Sequence, residues 1–236
     1  MDRSGFHMSI LVLMPHASPR KSQTEPSFIS KQVTGAKRYY FDLDPKPDGD
    51  LVIVCGGCER MRSDYIIDRT DFPFLVIECV AEGTGTLEIS GVTYQLSAGM
   101  TFAYGPRMAH RITSDTDTPM LKYFVTFTGK SAARLVSDSM LAHGRCVQLS
   151  APQEVIDIFD WLQREGLNET RLGPQVCAAL LPVLIMKINE HAISYGTLDF
   201  RALETYERAK RVIEQRFLSL RSSEEAASAC QHQVCT

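Results

Sequence analysis

The stretch TLEISGVTYQL, Thr86 to Leu96, constrains the fold more than any other part of this chain. Leu87 and Ile89 alternate with Glu88 and Ser90, and Val92, Tyr94 and Leu96 alternate with Thr93 and Gln95. A period of two marks strands with one apolar face. Ser90-Gly91 supplies the two-residue turn between them, where glycine takes a positive φ at little cost.

The surrounding chain repeats the strand signal. RYYFDL, LVIVC, DYIIDR and FLVIECV precede the hairpin, and MTFAY, HRIT and LKYFVTF follow it up to Gly129. These are short β-branched or aromatic runs divided by Pro, Gly and Asp. About eight such strands predict a barrel or double-sheet jelly roll.

After Gly129 the period becomes helical. Pro152 suits the first turn of a helix capped by Ser150 or Ala151, with Val155, Phe159 and Leu162 on one face and Gly166 as its stop. A second helix is expected from about Gln175 to His191, with Val176, Leu180, Leu184 and Ile188 on a stripe and a kink or break at Pro182. Tyr206, Ala209, Ile213, Phe217 and Leu220 predict a third, and Ser222 with Glu225 fits a capping box opening a fourth. The fold class expected is therefore a mainly β N-terminal half, a jelly roll or double-stranded β-helix, followed by an α-helical part.

Composition removes several classes. The 236 residues are 44% apolar with a net charge of −3, without the basic excess of an autonomous nucleic-acid binder. The longest early apolar run, Ile10 to Met14, is too short for a signal-peptide core, and no stretch has the length of a membrane span. A cytoplasmic protein without a membrane partner is the expectation. Seven scattered cysteines argue against a disulfide framework. The CGGC pair, Cys55 and Cys58, has metal-ligand or redox spacing, but no second pair follows, and it reads as two loop thiols at the end of LVIVC.

The order of parts then becomes specific. YIIDRTDFPFLVIECVAEGTGTLEISGVTYQLSAGMTFAYGPRMAHRI followed by PMLKYFVTFTG resembles the N-terminal effector-binding cupin of AraC-type transcription regulators. The closing TYERAKRVIEQRFLSLRSSEEAASACQHQVCT resembles the start of that family's helix-turn-helix DNA-binding domain. The resemblance implies a mobile arm over 1–27, an effector-binding barrel over 28–130, linker and dimerisation helices over 131–200, and the truncated start of the DNA-binding domain over 201–236. It implies a non-enzymatic sensor, a homodimer, a sugar or related small polar effector, and DNA as a partner of the full-length protein only. On this reading the chain ends before the first recognition helix. Six Arg and Lys against five Glu from Arg201 onward leave little phosphate-binding charge.

The resemblance also carries site residues. Positions matching Arg69, His110, Ile112 and Phe124 line the barrel in sugar-responsive members. Arginine offers a fork of donors, imidazole donates or accepts, and an aromatic ring stacks on a sugar's C–H face. Ile112 stands where such members carry a polar aromatic residue, which makes the wall more apolar. Tyr104 and Glu78 are additional polar groups whose strand alternation leaves open whether they point in or out. His110 has three readings: a metal ligand, an effector contact, or a histidine that caps its strand after Gly105-Pro106. For the first, RTDFPFLV (Arg69 to Val76) offers only Asp71, and Glu78 is displaced, so a metal cage is not expected and no cofactor is assigned. The rival to the sensor is a metal-dependent cupin enzyme, an isomerase or dioxygenase; a second is an oligomerisation module with an empty barrel.

Overall fold

The computed structural model describes residues 26, 28–46 and 49–194, with scattered positions between 209 and 228. Among the described residues eleven strands form two antiparallel sheets. The larger contains β1 (Val33–Tyr40), β2 (Val52–Met61), β4 (Leu75–Glu82), β7 (Met100–Tyr104), β9 (Leu121–Thr128), β10 (Cys146–Leu149) and β11 (Ala192–Ser194), in the order β1-β2-β9-β4-β7-β10-β11. The smaller contains β3 (Ile66–Arg69), β5 (Gly85–Ile89), β6 (Val92–Leu96) and β8 (His110–Ser114), in the order β3-β8-β5-β6.

The predicted hairpin is β5–β6, with Ile89 opposite Val92. Ser90 and Gly91 both have positive φ, 52° and 77°, which is the turn whose twist matches that of the flanking strands. Val92 is exposed, while Leu87, Ile89, Tyr94 and Leu96 point into a core shared with the facing sheet.

The larger sheet is covered on both faces, which is why its central strands read as almost continuous apolar runs. Val54, Val76, Phe102 and Phe124 face the smaller sheet. Ile53, Ile77, Val125 and Phe127 face the helices α1 (Ala132–Ser137), α2 (Pro152–Leu167) and α3 (Gly173–His191). Val155, Phe159 and Leu162 of α2, with Leu181, Leu184 and Ile188 of α3, complete this second core.

Several expectations are corrected. Helix α2 begins as expected at Pro152 with Ala151 as N-cap, but it continues through Gly166 to Leu167. Gly166 is a contact point: a Cβ there would run into the ring of Tyr39 on β1. Helix α3 runs without a break through Pro182, held on both sides by buried Leu180, Leu181, Leu184 and Ile185. Cys55 and Cys58 lie inside strand β2 and not in a loop. Strands β10 and β11 lie beyond residue 130, where only helices were expected; β10 pairs with β7 and extends the large sheet. The expected arm over 1–27 lies outside the described residues apart from Pro26, as does most of the expected third helix. Within the latter's described positions Val212 is buried and Phe217 exposed. At the expected fourth helix the Ser222 hydroxyl accepts the N–H of Glu225 at 3.2 Å.

Candidate functional site

Between the two sheets the apolar core is interrupted by a cluster of charge. Lys122 on β9 and Glu78 on β4 are diagonal neighbours across two paired strands, since Glu78 lies opposite Phe124 and Val80 opposite Lys122. The period of two turns both side chains to the same face. The Lys122 ammonium donates to Glu78 Oε2 at 2.7 Å and to the Tyr65 hydroxyl at 3.0 Å. Tyr104 on β7 donates its hydroxyl to the other oxygen of Glu78 at 2.8 Å. Both charged side chains are only 4% exposed. A second ion pair adjoins the first: Arg38 Nε donates to Glu59 Oε1 at 2.7 Å.

The titration of these groups follows from their burial. Desolvation pulls the Lys122 ammonium down, but Glu78, Tyr65 and Glu59 outweigh it and the pKa is raised. Burial pushes the Tyr65 phenol up to about 12. Burial also raises the Glu59 carboxyl, against the opposing pull of Lys122 and Arg38.

Arg69 and His110 stand at the edge of this cluster and face each other in register across β3 and β8. Arg69 donates to the main-chain carbonyl of Phe28 at 2.6 Å and lies 5.0 Å from the centre of the Phe72 ring. Among the described residues it has no carboxylate partner. His110 stacks on Tyr104 with ring centres 4.0 Å apart. Its Nδ1 is 3.0 Å from the Met108 carbonyl, which can only accept, so Nδ1 carries the proton. Nε2 is then a bare acceptor, buried and without a partner among the described residues. Burial lowers the His110 pKa despite that carbonyl and Glu78, so the ring stays neutral.

A small cavity lies among Arg69, Glu78, Tyr104, Lys122 and Phe124. Phe28, Ile29 and Ser30 line one side of it. The Phe28 ring packs edge-on against Phe72 and Phe74, each with centres 5.6 Å away, and the Ser30 carbonyl accepts from Arg38 at 2.8 Å. The space left is about 30 Å³, room for about two water molecules.

The structure thus gathers Arg69, Glu78, Tyr104 and Phe124 around one cavity and sets His110 against its wall. Tyr104 and Glu78, whose direction strand alternation left open, both point inward. Ile112 is fully buried opposite Leu87, part of the same core but not of the cavity wall. Sequence reading missed Lys122, Tyr65, Glu59 and Arg38. The signal was present: a lone Lys in LKYFVTF and a lone Glu in FLVIECV are opposite charges inside apolar strands, and such charges need each other.

The donors do not fit a metal centre. Glu78 is engaged by Lys122 and Tyr104, His110 offers one nitrogen, and Asp71 Oδ1 accepts the N–H groups of Phe72 and Arg107 away from both. The grouping of three ligand-type side chains among the described residues is Glu154, Glu190 and His191 on the helices, where Lys187 already bonds both carboxylates. Cys55 and Cys58 cannot act as a pair. Cys55 lies in the barrel interior, its thiol pushed by burial up to about 12, whereas Cys58 sits on the helix side beside Tyr123 and Asp160.

Two facing antiparallel sheets around a mixed polar and aromatic interior define a cupin-type barrel. The chain belongs to the AraC-like ligand binding domain family, whose family model matches residues 56–173. No curated protein matches the chain. Among solved structures it is similar to YhaK from Escherichia coli, with 17% identity over 42% of this chain and 47% of that one, TM-score 0.34. It is similar too to the Cupin_2 domain of an XRE family transcriptional regulator from Enterobacter cloacae, with 11% identity over 30% and 78%, TM-score 0.28. A third is a salicylate 1,2-dioxygenase from Pseudaminobacter salicylatoxidans, with 15% identity over 37% and 23%, TM-score 0.29. The chain thus spans less than half the length of YhaK. No described helix is long and apolar enough to cross a membrane.

Proposed function

We propose that this chain is the ligand-sensing and dimerising portion of an AraC-type transcription regulator, without catalytic activity, and that a small polar effector of the sugar kind enters the barrel. The observation that carries this reading is the cavity itself. Hydrogen-bonding and charged groups converge inside an apolar barrel, and a short chain segment, not a strand, covers one side of the cavity. Small-molecule sites have this composition, a mostly apolar wall with a few convergent polar groups.

As it stands the cavity is far below the several hundred Å³ that such ligands occupy. Effector entry therefore requires Phe28 to leave. Its carbonyl occupies Arg69, and its ring fills the space between Phe72 and Phe74. The effector and this segment compete for the same groups, so binding shifts the population toward a state with the segment released. In the whole regulator that shift would reach the DNA-binding domain, whose expected beginning is residues 201–236. The exposed apolar side chains Trp161, Leu172, Val183 and Met186 on and beside α2 and α3 support a homodimer formed through the helices.

Thermal unfolding of the purified chain against a panel of neutral sugars, sugar acids and small carboxylates tests the reading, with elemental analysis of the same protein. A saturable rise in melting temperature is expected for at least one compound, because ligands that bind only the native state stabilise it by mass action. A flat response across the panel contradicts the sensor and favours the empty oligomerisation module. One equivalent of metal, with turnover lost in His110→Ala, contradicts it in favour of the enzyme.

A further inference from the structure

The charges inside the barrel do not cancel, and the surplus has a sign. Glu59 is held by Arg38 and Glu78 by Lys122, each at 2.7 Å, so both interior carboxylates are spoken for. The second cation on the cavity wall, the half-buried Arg69, has only a neutral carbonyl and an aromatic face. The nearest acids do not serve it. Asp68 pairs with Arg111 at the surface, and Asp71 turns to the N–H groups of its own loop and of Arg107. A guanidinium has five donors in a planar fork whose geometry suits a carboxylate. Here one of its amino groups meets a single carbonyl oxygen, a poor substitute.

The neighbouring vacancy has the opposite polarity and lies behind Tyr104, just outside the cavity lining. His110 is the direct cross-strand partner of Arg69, so their side chains leave the sheet about 5 Å apart. Its Nε2 has a free lone pair and no donor among the described residues. A buried acceptor without a donor is costly and is expected to be filled when the site is occupied. The two vacancies side by side ask for an anionic fork and, a bond or two away, an O–H donor.

We infer that the effector is a hydroxycarboxylic acid, a sugar acid or a 2- or 3-hydroxy acid, with its carboxylate on Arg69 and its adjacent hydroxyl donating to His110 Nε2. This rests on the sensor reading above and sharpens it from polar molecules in general to a charged class. The carboxylate replaces the Phe28 carbonyl at Arg69, which ties the effector's charge to release of the closing segment. A neutral sugar offers Arg69 nothing stronger than the carbonyl it would displace.

The test compares matched pairs by calorimetric titration: D-galacturonate with D-galactose, and L-lactate with propionate. Wild-type protein is expected to bind an acid and not its neutral partner, and to prefer lactate over propionate by about tenfold. Arg69→Gln is expected to weaken the acid by about 100-fold. His110→Phe keeps the ring stacked on Tyr104 and is expected to remove only the preference for the hydroxylated acid. Circular dichroism and the unliganded melting temperature establish that each variant is folded; if Arg69→Gln is not, Arg69→Lys replaces it, retaining charge but not the fork. Equal binding of galactose and galacturonate, unchanged in the Arg69 variant, overturns the inference and leaves the sensor standing. Unchanged lactate preference in His110→Phe overturns the hydroxyl contact. Silence of every compound in both pairs overturns the charged class, while the wider panel above decides the sensor.

Discussion

The ammonium of Lys122 lies 2.7 Å from the carboxylate of Glu78 on the neighbouring strand, and each side chain is only 4% exposed. A buried pair of this kind contributes little net stability, because desolvation consumes most of the attraction. Breaking it is another matter. Lys122→Met strands Glu78 and is expected to cost about 3–5 kcal/mol. Adding Glu78→Leu removes the stranded charge and is expected to recover most of the loss. Urea denaturation of the two single variants and the double variant measures this; additive losses would show that the residues act independently.

His110 is expected to make the fold sensitive to mild acid. Its folded pKa is below the usual imidazole value, so between the two values the unfolded chain binds more protons than the folded one. The stability that neutral His110 permits is complete above about pH 6.5 and declines as the pH falls through that value toward the folded pKa. His110→Phe is expected to flatten this part of the profile. Melting temperature against pH for both proteins checks it, and parallel curves would refute the assignment.

Gly91 isolates a backbone effect. A Cβ there would meet nothing within 4 Å, yet φ is +77°. Gly91→Ala is therefore expected to destabilise by about 1 kcal/mol through conformation alone. Its denaturation midpoint should fall with an unchanged slope.

Gly166 isolates packing. Alanine is the better helix former by about 1 kcal/mol, but its methyl would strike the Tyr39 ring. Gly166→Ala is expected to destabilise by about 1–3 kcal/mol, and Tyr39→Leu in the same chain to lessen the damage. Stabilisation by Gly166→Ala alone would mean that β1 and α2 yield easily.

Much of the barrel was legible in the sequence because one face of the small sheet meets solvent. The alternation through Leu87, Ile89, Tyr94 and Leu96 records that geometry directly. Strand β10 carries no such record: all four of its residues are buried, so CVQL shows no period, and its partner β7 is more than forty residues away. CGGC was misread because glycines suggest loops. In β2 they serve close approach, since a Cβ on Gly56 would strike Tyr39 and one on Gly57 the Lys37 carbonyl. The site was legible in part. Arg69, His110 and Phe124 came from resemblance, and Glu78 and Tyr104 from their polarity. Lys122 was legible only as one of a pair of opposite charges that must be buried together, and Phe28 not at all, because its place in the barrel comes from tertiary packing.

The central claim is that an effector enters the barrel by displacing Phe28. Hydrogen exchange of the chain with and without the hydroxy acid that raises the melting temperature most tests it directly. The result expected is faster exchange in a peptide spanning residues 28–32, together with slower exchange in β3 and β8 around Arg69 and His110. Protection confined to α2 and α3, with residues 28–32 unchanged, would contradict it.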